Sequence, residues 1–357
     1  MQVGLKVWRY DSRSGERKLQ EYEVDAPEWA CLLDVLDIIK DKHDGTLAFR
    51  KSCRMMICGS CGMRMDGRAV LACKERMQPI AESGHVPVIS AMGNLPIVKD
   101  LVVDMAPFWG KIRAVKPWLD PGYDEVQERE RIVSQQQMNA IQKESLCIMC
   151  GCCVSECNSM ESDPAFLGPA ALAKGFRFVG DPREGQQVDR LVELNGEHGI
   201  WDCTRCYFCN ERCPKGVDPR DAIAKLGAES IKEGIDRDMG AKHANWFVTS
   251  AKTTGWLRET ELVPKTQGII SAIQQTGFAI GLAKRGKVPP PVPPHVAKDV
   301  GQARALYNLV KEQGRDGALG IVQGEHALGR IEFTEAAGVK ATDPEVEPGV
   351  EPPPAEG

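Results

Sequence analysis

The chain has 357 residues, a formal net charge of −5 and 14 cysteines, with 42% hydrophobic and 27% charged residues. That composition belongs to a folded protein of two or three domains, and its sign argues against nucleic acid as a main partner. The cysteines fall in three groups, Cys31 to Cys73, Cys147 to Cys157 and Cys203 to Cys213. Such tight spacing suits metal and excludes a secreted disulfide framework.

Residues 1–10 alternate polar and apolar, with no apolar leader segment, so no signal peptide is expected. The most apolar window, 268–283, is interrupted by Gln274 and Gln275, and its 16 residues are too few to span a bilayer. The expected setting is the reducing cytoplasm.

Alternation over 3–9 and 18–24, around a turn at 11–15, predicts a β-hairpin. Pro27 is expected to open a helix with Leu32, Leu33, Val35, Leu36, Ile38 and Ile39 on its apolar face. Short strands are expected around 63–71, 86–90 and 95–103, making residues 1–106 an α+β domain. Pro107, Pro117 and Pro121 mark a linker, and 124–146, free of Pro and Gly, reads as a helix entering the second cysteine group. Helices are expected over 165–178 and 219–233, so residues 107–240 form a mainly helical domain with cysteines on its loops. In an extension, 241–338, helices are expected at 242–258, 266–284 and 296–313, interrupted by a stiff proline segment at 289–294. The acidic tail, 339–357, has no pattern for burial and is expected to be disordered.

Cys53, Cys58, Cys61 and Cys73 have the Cys-x4-Cys-x2-Cys spacing, with a distant fourth cysteine, of a plant-type 2Fe–2S site. One loop must wrap the cluster with backbone N–H groups aimed at the sulfurs, and Gly59 and Gly62 permit that approach. Cys147, Cys150, Cys153 and Cys157 are spaced x2, x2, x3, and so are Cys203, Cys206, Cys209 and Cys213, with Pro214 following. In this two-cluster ferredoxin run the fourth cysteine serves the other cluster. The crossed ligand sets are Cys147, Cys150, Cys153 and Cys213 for a 4Fe–4S cubane, and Cys157, Cys203, Cys206 and Cys209 for a third cluster. Two cysteines remain. Cys31 is expected in the core on the apolar side of the first helix, and Cys152 packed against a cluster. No Gly-x-Gly-x-x-Gly or Walker motif occurs, and no histidine pairs with a catalytic-looking cysteine or carboxylate, so the chain reads as an electron wire without a catalytic residue of its own. Arg50, Lys51 and Arg54 flank the first site, as a solvated basic patch or a docking face for a redox partner.

Ser52-Cys53-Arg54, the stretch from Cys58 to Gly62, Leu95 to Leu101, the run from Cys147 to Cys157 and Cys213-Pro214-Lys215-Gly216 together resemble the iron–sulfur subunit of succinate dehydrogenase and fumarate reductase. The resemblance covers about residues 1–240. It implies a β-grasp 2Fe–2S domain followed by an all-α ferredoxin domain. It also implies an FAD-containing flavoprotein partner, a membrane anchor handling quinone, and a place at the cytoplasmic face of the membrane. Electrons would pass from flavin to the 2Fe–2S cluster, the 4Fe–4S cluster, the third cluster and then quinone.

Three departures qualify the resemblance. The family's third cluster is 3Fe–4S, held by cysteines matching Cys157, Cys203 and Cys209; a thiolate at Cys206 predicts 4Fe–4S and a lower potential suited to menaquinone. The quinone-contacting Trp and His of ubiquinone-reducing members fall at Ser162 and Thr204. The extension near 240–262 faintly resembles heterodisulfide-reductase and thiol-driven fumarate-reductase subunits, which suggests a cysteine-rich peripheral anchor and makes a thiol-dependent complex the alternative function.

Overall fold

The alternation over the first ten residues becomes strand β1 (Gln2–Tyr10), paired antiparallel with β2 (Arg17–Asp25) across residues 11–16. The structure, a computed structural model, describes residues 1–122, 130–287 and 296–312. Val3, Leu5 and Val7 share the buried face of β1, as the two-residue strand period requires. Helix α1 (Leu32–Ile38) packs on that face through Leu32, Leu33 and Leu36 and is prolonged by a π-helical turn, Ile39–His43.

The helix starts at Leu32, not at Pro27. Cys31 is its N-cap, with extended backbone, and Asp34 accepts hydrogen bonds from both the Cys31 amide and its Sγ at 3.0 Å. Cys31 is therefore the half-buried N-cap of the helix, and it packs against the core of the sheet half.

Strands β3 (Gly62–Met65) and β4 (Arg68–Leu71), helix α2 (Gln78–Glu82) and strand β5 (Val88–Ser90) complete a sheet of order β2-β1-β5-β3-β4. β1 and β5 are parallel and the other neighbours antiparallel. A ribbon of β6 (Ile97–Lys99) and β7 (Val102–Val103) follows. At the end of the β1 core row sits Arg9, which is buried; its Nε donates to Asp100 at 2.9 Å, and its other nitrogens reach Asp44, Gln20, Tyr22 and Thr46.

The helical half comprises α3 (Ala106–Ala114), α4 (Gln135–Ser145), α5 (Cys152–Ser155), α6 (Asn158–Ser162), α7 (Pro169–Val179), α8 (Gln187–Leu194), α9 (Phe208–Glu211) and α10 (Pro219–Lys232). α7 is its centre: Ala170, Ala171, Leu172, Ala173 and Phe176 are buried, with α3, α4, α8 and α10 around them. α4 begins later than the expected residue 124, because Ser134 and Gln137 form a capping box there; residues 124–129 of that expected helix lie outside the described ones.

The two halves share their interiors. Met92, Leu95 and Val103 pack with Val154, Phe166 and Leu172, while Cys150 and Cys152 sit in the core of the sheet half.

Beyond them come α11 (Met239–Thr254), α12 (Glu259–Thr266), α13 (Ile269–Gln274), α14 (Thr276–Lys284) and α15 (Val300–Glu312). α11 starts before the expected residue 242 because the Asp238 carboxylate caps the Gly240 amide at 2.6 Å. The expected single helix over 266–284 is broken, since Gly268 takes φ +91° and the chain turns again at Gln275. α15 returns to α11, where the Arg304 guanidinium donates to the carbonyls of Lys252 and Thr253. The proline segment and the acidic tail lie outside the described residues. Among the described residues no helix is long and apolar enough to cross a membrane.

Candidate metal centres

The first cysteine loop is built to surround sulfur. Arg54, Met56 and Gly59 all take left-handed backbone (φ 59°, 60° and 70°), which curls residues 53–61 into a cup. Cys53 Sγ accepts from the amides of Met55, Ile57 and Cys58 at 3.3–3.4 Å. Cys58 Sγ accepts from Cys53 and Ser60 at 3.5 Å, and Cys73 Sγ from Met56 at 3.4 Å. Amides converging on sulfur stabilise thiolate and the net negative charge of an iron–sulfur cluster, so these residues fit a 2Fe–2S group. Hydrogen bonds from Ser60 and the Cys53 amide hold Cys58 down to about 6, whereas burial pushes Cys61 up to about 12. A thiol as buried as Cys61 becomes a thiolate only against the charge of a metal.

The second and third runs adopt one conformation twice. Met149 and Gly151 are left-handed in the second, Arg205 and Tyr207 at the matching places in the third. Each run then enters a one-turn helix, α5 or α9, at matching positions. This correspondence pairs Cys150 with Cys206 and Cys157 with Cys213. Cys147, Cys150, Cys153 and Cys213 line one apolar cavity with Ala170, Ala173 and Pro214. Cys203 and Cys206 lie within electrostatic reach of Cys157, and Cys157, Cys203 and Cys206 within reach of Cys209. The structure thus brings together the two crossed groups. Burial raises Cys153 and Cys157, and takes Cys209 up to about 12. Four cysteines around one space, some of them buried, fit a metal cluster far better than an empty apolar cavity.

Cys152 is fully buried beside Cys150. Its thiol hydrogen-bonds the Cys150 sulfur and holds that residue down to about 7, while Cys152 itself rises well above the ordinary range. It packs against Cys150, one of the cysteines expected to hold the second cluster.

The seam between the first and second sites is close. A Cβ on Gly59 would fall 2.7 Å from Cys150 Cβ and 2.8 Å from its Cα, so only glycine admits this contact. Arg64 and Asn94 clamp the seam from the sheet half: Arg64 Nε donates to Glu156 at 2.8 Å, and Asn94 Nδ2 to the carbonyls of Val154 and Cys157 at 2.8 and 2.9 Å. Neither residue stands out in sequence, because its partners lie some sixty or more residues away.

The basic patch divides. Lys51 and Arg54 are ion-paired to Asp37, which ties the loop to α1. Arg50 turns inward. Its Nε and Nη2 are buried with no hydrogen-bond partner among the described residues, and Cys61, Cys152 and Cys58 lie within its electrostatic reach. Ser162 ends α6 and is exposed; Thr204 is exposed with its amide donating to Ser159 Oγ at 3.1 Å, next to Cys203.

Comparison with known proteins agrees with this geometry. Residues 4–110 match a 2Fe-2S iron-sulfur cluster binding domain and residues 144–217 a 4Fe-4S dicluster domain. The chain is 37% identical over 245 residues to the fumarate reductase iron-sulfur subunit of Haemophilus influenzae, covering 65% of this chain and 94% of that one. It is 44% identical over 210 residues to that of Mycobacterium tuberculosis (58% and 83% covered). Over 289 residues it is 32% identical to the 8-methylmenaquinol:fumarate reductase iron-sulfur subunit of Wolinella succinogenes (79% and 89% covered). Among solved structures, a chain of the Mycobacterium smegmatis Sdh1 complex superposes with a TM-score of 0.61 at 25% identity, covering 66% of this chain and 98% of that one. The chain belongs to the family of iron–sulfur subunits of fumarate reductase and succinate dehydrogenase, electron-transfer subunits that carry 2Fe–2S and 4Fe–4S clusters.

Proposed function

We propose that this chain conducts electrons between an FAD-containing flavoprotein that interconverts succinate and fumarate and a quinone, menaquinone in particular. Cys53, Cys58, Cys61 and Cys73 would hold a 2Fe–2S cluster. Cys147, Cys150, Cys153 and Cys213 would hold a 4Fe–4S cluster, and Cys157, Cys203, Cys206 and Cys209 a third, also 4Fe–4S. When bound, the clusters supply one-electron carriers.

The contact of Gly59 with Cys150 carries this reading, because it places the first site directly against the second. The crossing of Cys157 and Cys213 ties the second to the third. Cys58, Met55 and Ile57 are exposed on the first loop, which supports a flavoprotein docking there. At the other end, Ser162 and Thr204 offer hydroxyls where a ubiquinone-type site would offer an indole and an imidazole. The Wolinella succinogenes relative, whose 289 matched residues must reach beyond residue 240, supports a menaquinol-type partner.

On this reading 1–106 is the β-grasp domain, 107–240 the α-helical ferredoxin domain, 241–338 an extension and 339–357 a tail. The subunit sits peripherally at the cytoplasmic face of a membrane, on an integral or cysteine-rich peripheral anchor.

Iron and acid-labile sulfide analysis with an EPR-monitored redox titration tests the proposal. Three distinct reducible centres are expected, with electrons reaching a menaquinone analogue in the assembled complex. A colourless zinc protein, or electrons delivered to a disulfide and not to quinone, would overturn it.

A further inference from the structure

Helices α13 and α14 bury no residue, yet they are the most apolar part of the extension. Ile269, Ile270, Ile273 and Phe278 are 72%, 75%, 67% and 69% exposed, and Ile280 is half exposed. Side chains of this kind are scattered singly over ordinary surfaces; here five fall between residues 269 and 280. The charge around them is one-sided. From Leu262 to Lys298 the sequence has no Asp or Glu and has Lys265, Lys284, Arg285, Lys287 and Lys298. This stretch carries +5, so the rest of the chain carries −10 to reach the total of −5. Lys284, Arg285 and Lys287 are exposed at the C-terminal end of α14, and no carboxylate pairs with them among the described residues.

A helix that is apolar around most of its circumference requires a non-aqueous neighbour. A spanning segment is excluded: residues 269–284 would reach only about 24 Å as one helix, and they are broken at Gln275. A short apolar segment with isoleucine and phenylalanine, closed at one end by lysine and arginine, instead suits the plane of a bilayer interface. Apolar insertion and a cluster of basic charge are the two signals that together give stable attachment, and the charge selects anionic headgroups.

We infer that residues 269–287 lie in the surface of an anionic membrane, with Ile269, Ile270, Ile273 and Phe278 at the acyl boundary and Lys284, Arg285 and Lys287 at the headgroup phosphates. This deepens the peripheral-membrane part of the proposed function and depends on none of the cluster assignments.

The test is flotation of the full chain, with its clusters, on vesicles of phosphatidylcholine alone or mixed with phosphatidylglycerol. Binding to the mixed vesicles and little to the neutral ones is expected. The combined variant K284Q, R285Q and K287Q should partition about a hundredfold more weakly at low salt, from roughly fivefold per basic residue. The combined variant I269S, I270S and F278S should lose binding to a similar degree. Unchanged visible and EPR spectra show that each variant remains folded. Failure to float on either vesicle, or variants that float like the wild type, would overturn the inference. If flotation fails and the apolar variant instead loses co-purification with a membrane-anchor subunit, the face is a protein contact and the inference is also wrong. The electron-transfer reading fails separately, by absence of the cluster spectra.

Discussion

Gly59 and Cys150 touch backbone to backbone, and that contact joins the first metal site to the second. It combines two demands on one residue, a φ of +70° and a vacant Cβ position. Gly59→Ala is therefore expected to cost about 2 kcal/mol or more, from crowding and left-handed strain. A lowered thermal midpoint together with slower reduction of the 4Fe–4S signal by the flavoprotein would report it; a variant with wild-type values in both would show that the seam tolerates expansion.

Cys206 occupies in the third run the place that Cys150 occupies in the second. Cys206→Ser should leave three cysteines at that site, Cys157, Cys203 and Cys209, and yield a 3Fe–4S cluster. The oxidised variant should then show the isotropic EPR signal of such a cluster, absent from wild type prepared without air. The same signal in anaerobic wild type would mean that Cys206 is not a ligand.

Arg50 has two buried guanidinium nitrogens, Nε and Nη2, with no hydrogen-bond partner among the described residues, and lies within electrostatic reach of Cys58, Cys61 and Cys152. A fixed positive charge favours the added electron, so Arg50→Met should lower the potential of the 2Fe–2S centre. A shift on the order of 60 mV, tenfold in the one-electron equilibrium, is expected in an EPR-monitored titration. An unaltered midpoint would show that another group neutralises this charge.

The Arg9 cluster makes the sheet half acid-sensitive. The Thr46 hydroxyl at 2.5 Å, the Tyr22 hydroxyl at 2.8 Å and Arg9 hold the Asp44 carboxyl well below the usual carboxylate range. Because the folded value is depressed, its contribution is complete above about pH 4 and is lost as pH falls toward the folded value. Asp44→Asn should flatten the fall of the thermal midpoint with pH in that range, measured as wild type minus variant. Arg9→Met, which leaves Asp100 buried without its cation, should cost about 3–5 kcal/mol at neutral pH. Loss of less than 1 kcal/mol on removing Arg9, or parallel pH curves for Asp44→Asn, would contradict this account.

Cysteine spacing alone determined which residues could serve iron, because ligand reach along a short loop is a local property of the chain. Strand alternation and the proline and glycine punctuation likewise made the hairpin and the helical second half legible, whereas the proline stretch that reads as a linker from Pro107 holds α3, whose Phe108 and Ile112 are buried in the core. Other features depended on residues far apart in sequence. Pro27 carries a helix-opening signal, yet Asp34 reaching back to Cys31 sets the start. Arg50 reads as one of a solvated triplet with Lys51 and Arg54, but Asp37 takes the other two and burial takes Arg50. Gly59 reads as a loop glycine, and only the approach of Cys150 shows why a side chain is excluded. The sequence by itself grouped the candidate ligands. The tertiary structure decided how those groups abut, since backbone contact, burial and unpaired charge arise only when distant segments occupy the same space.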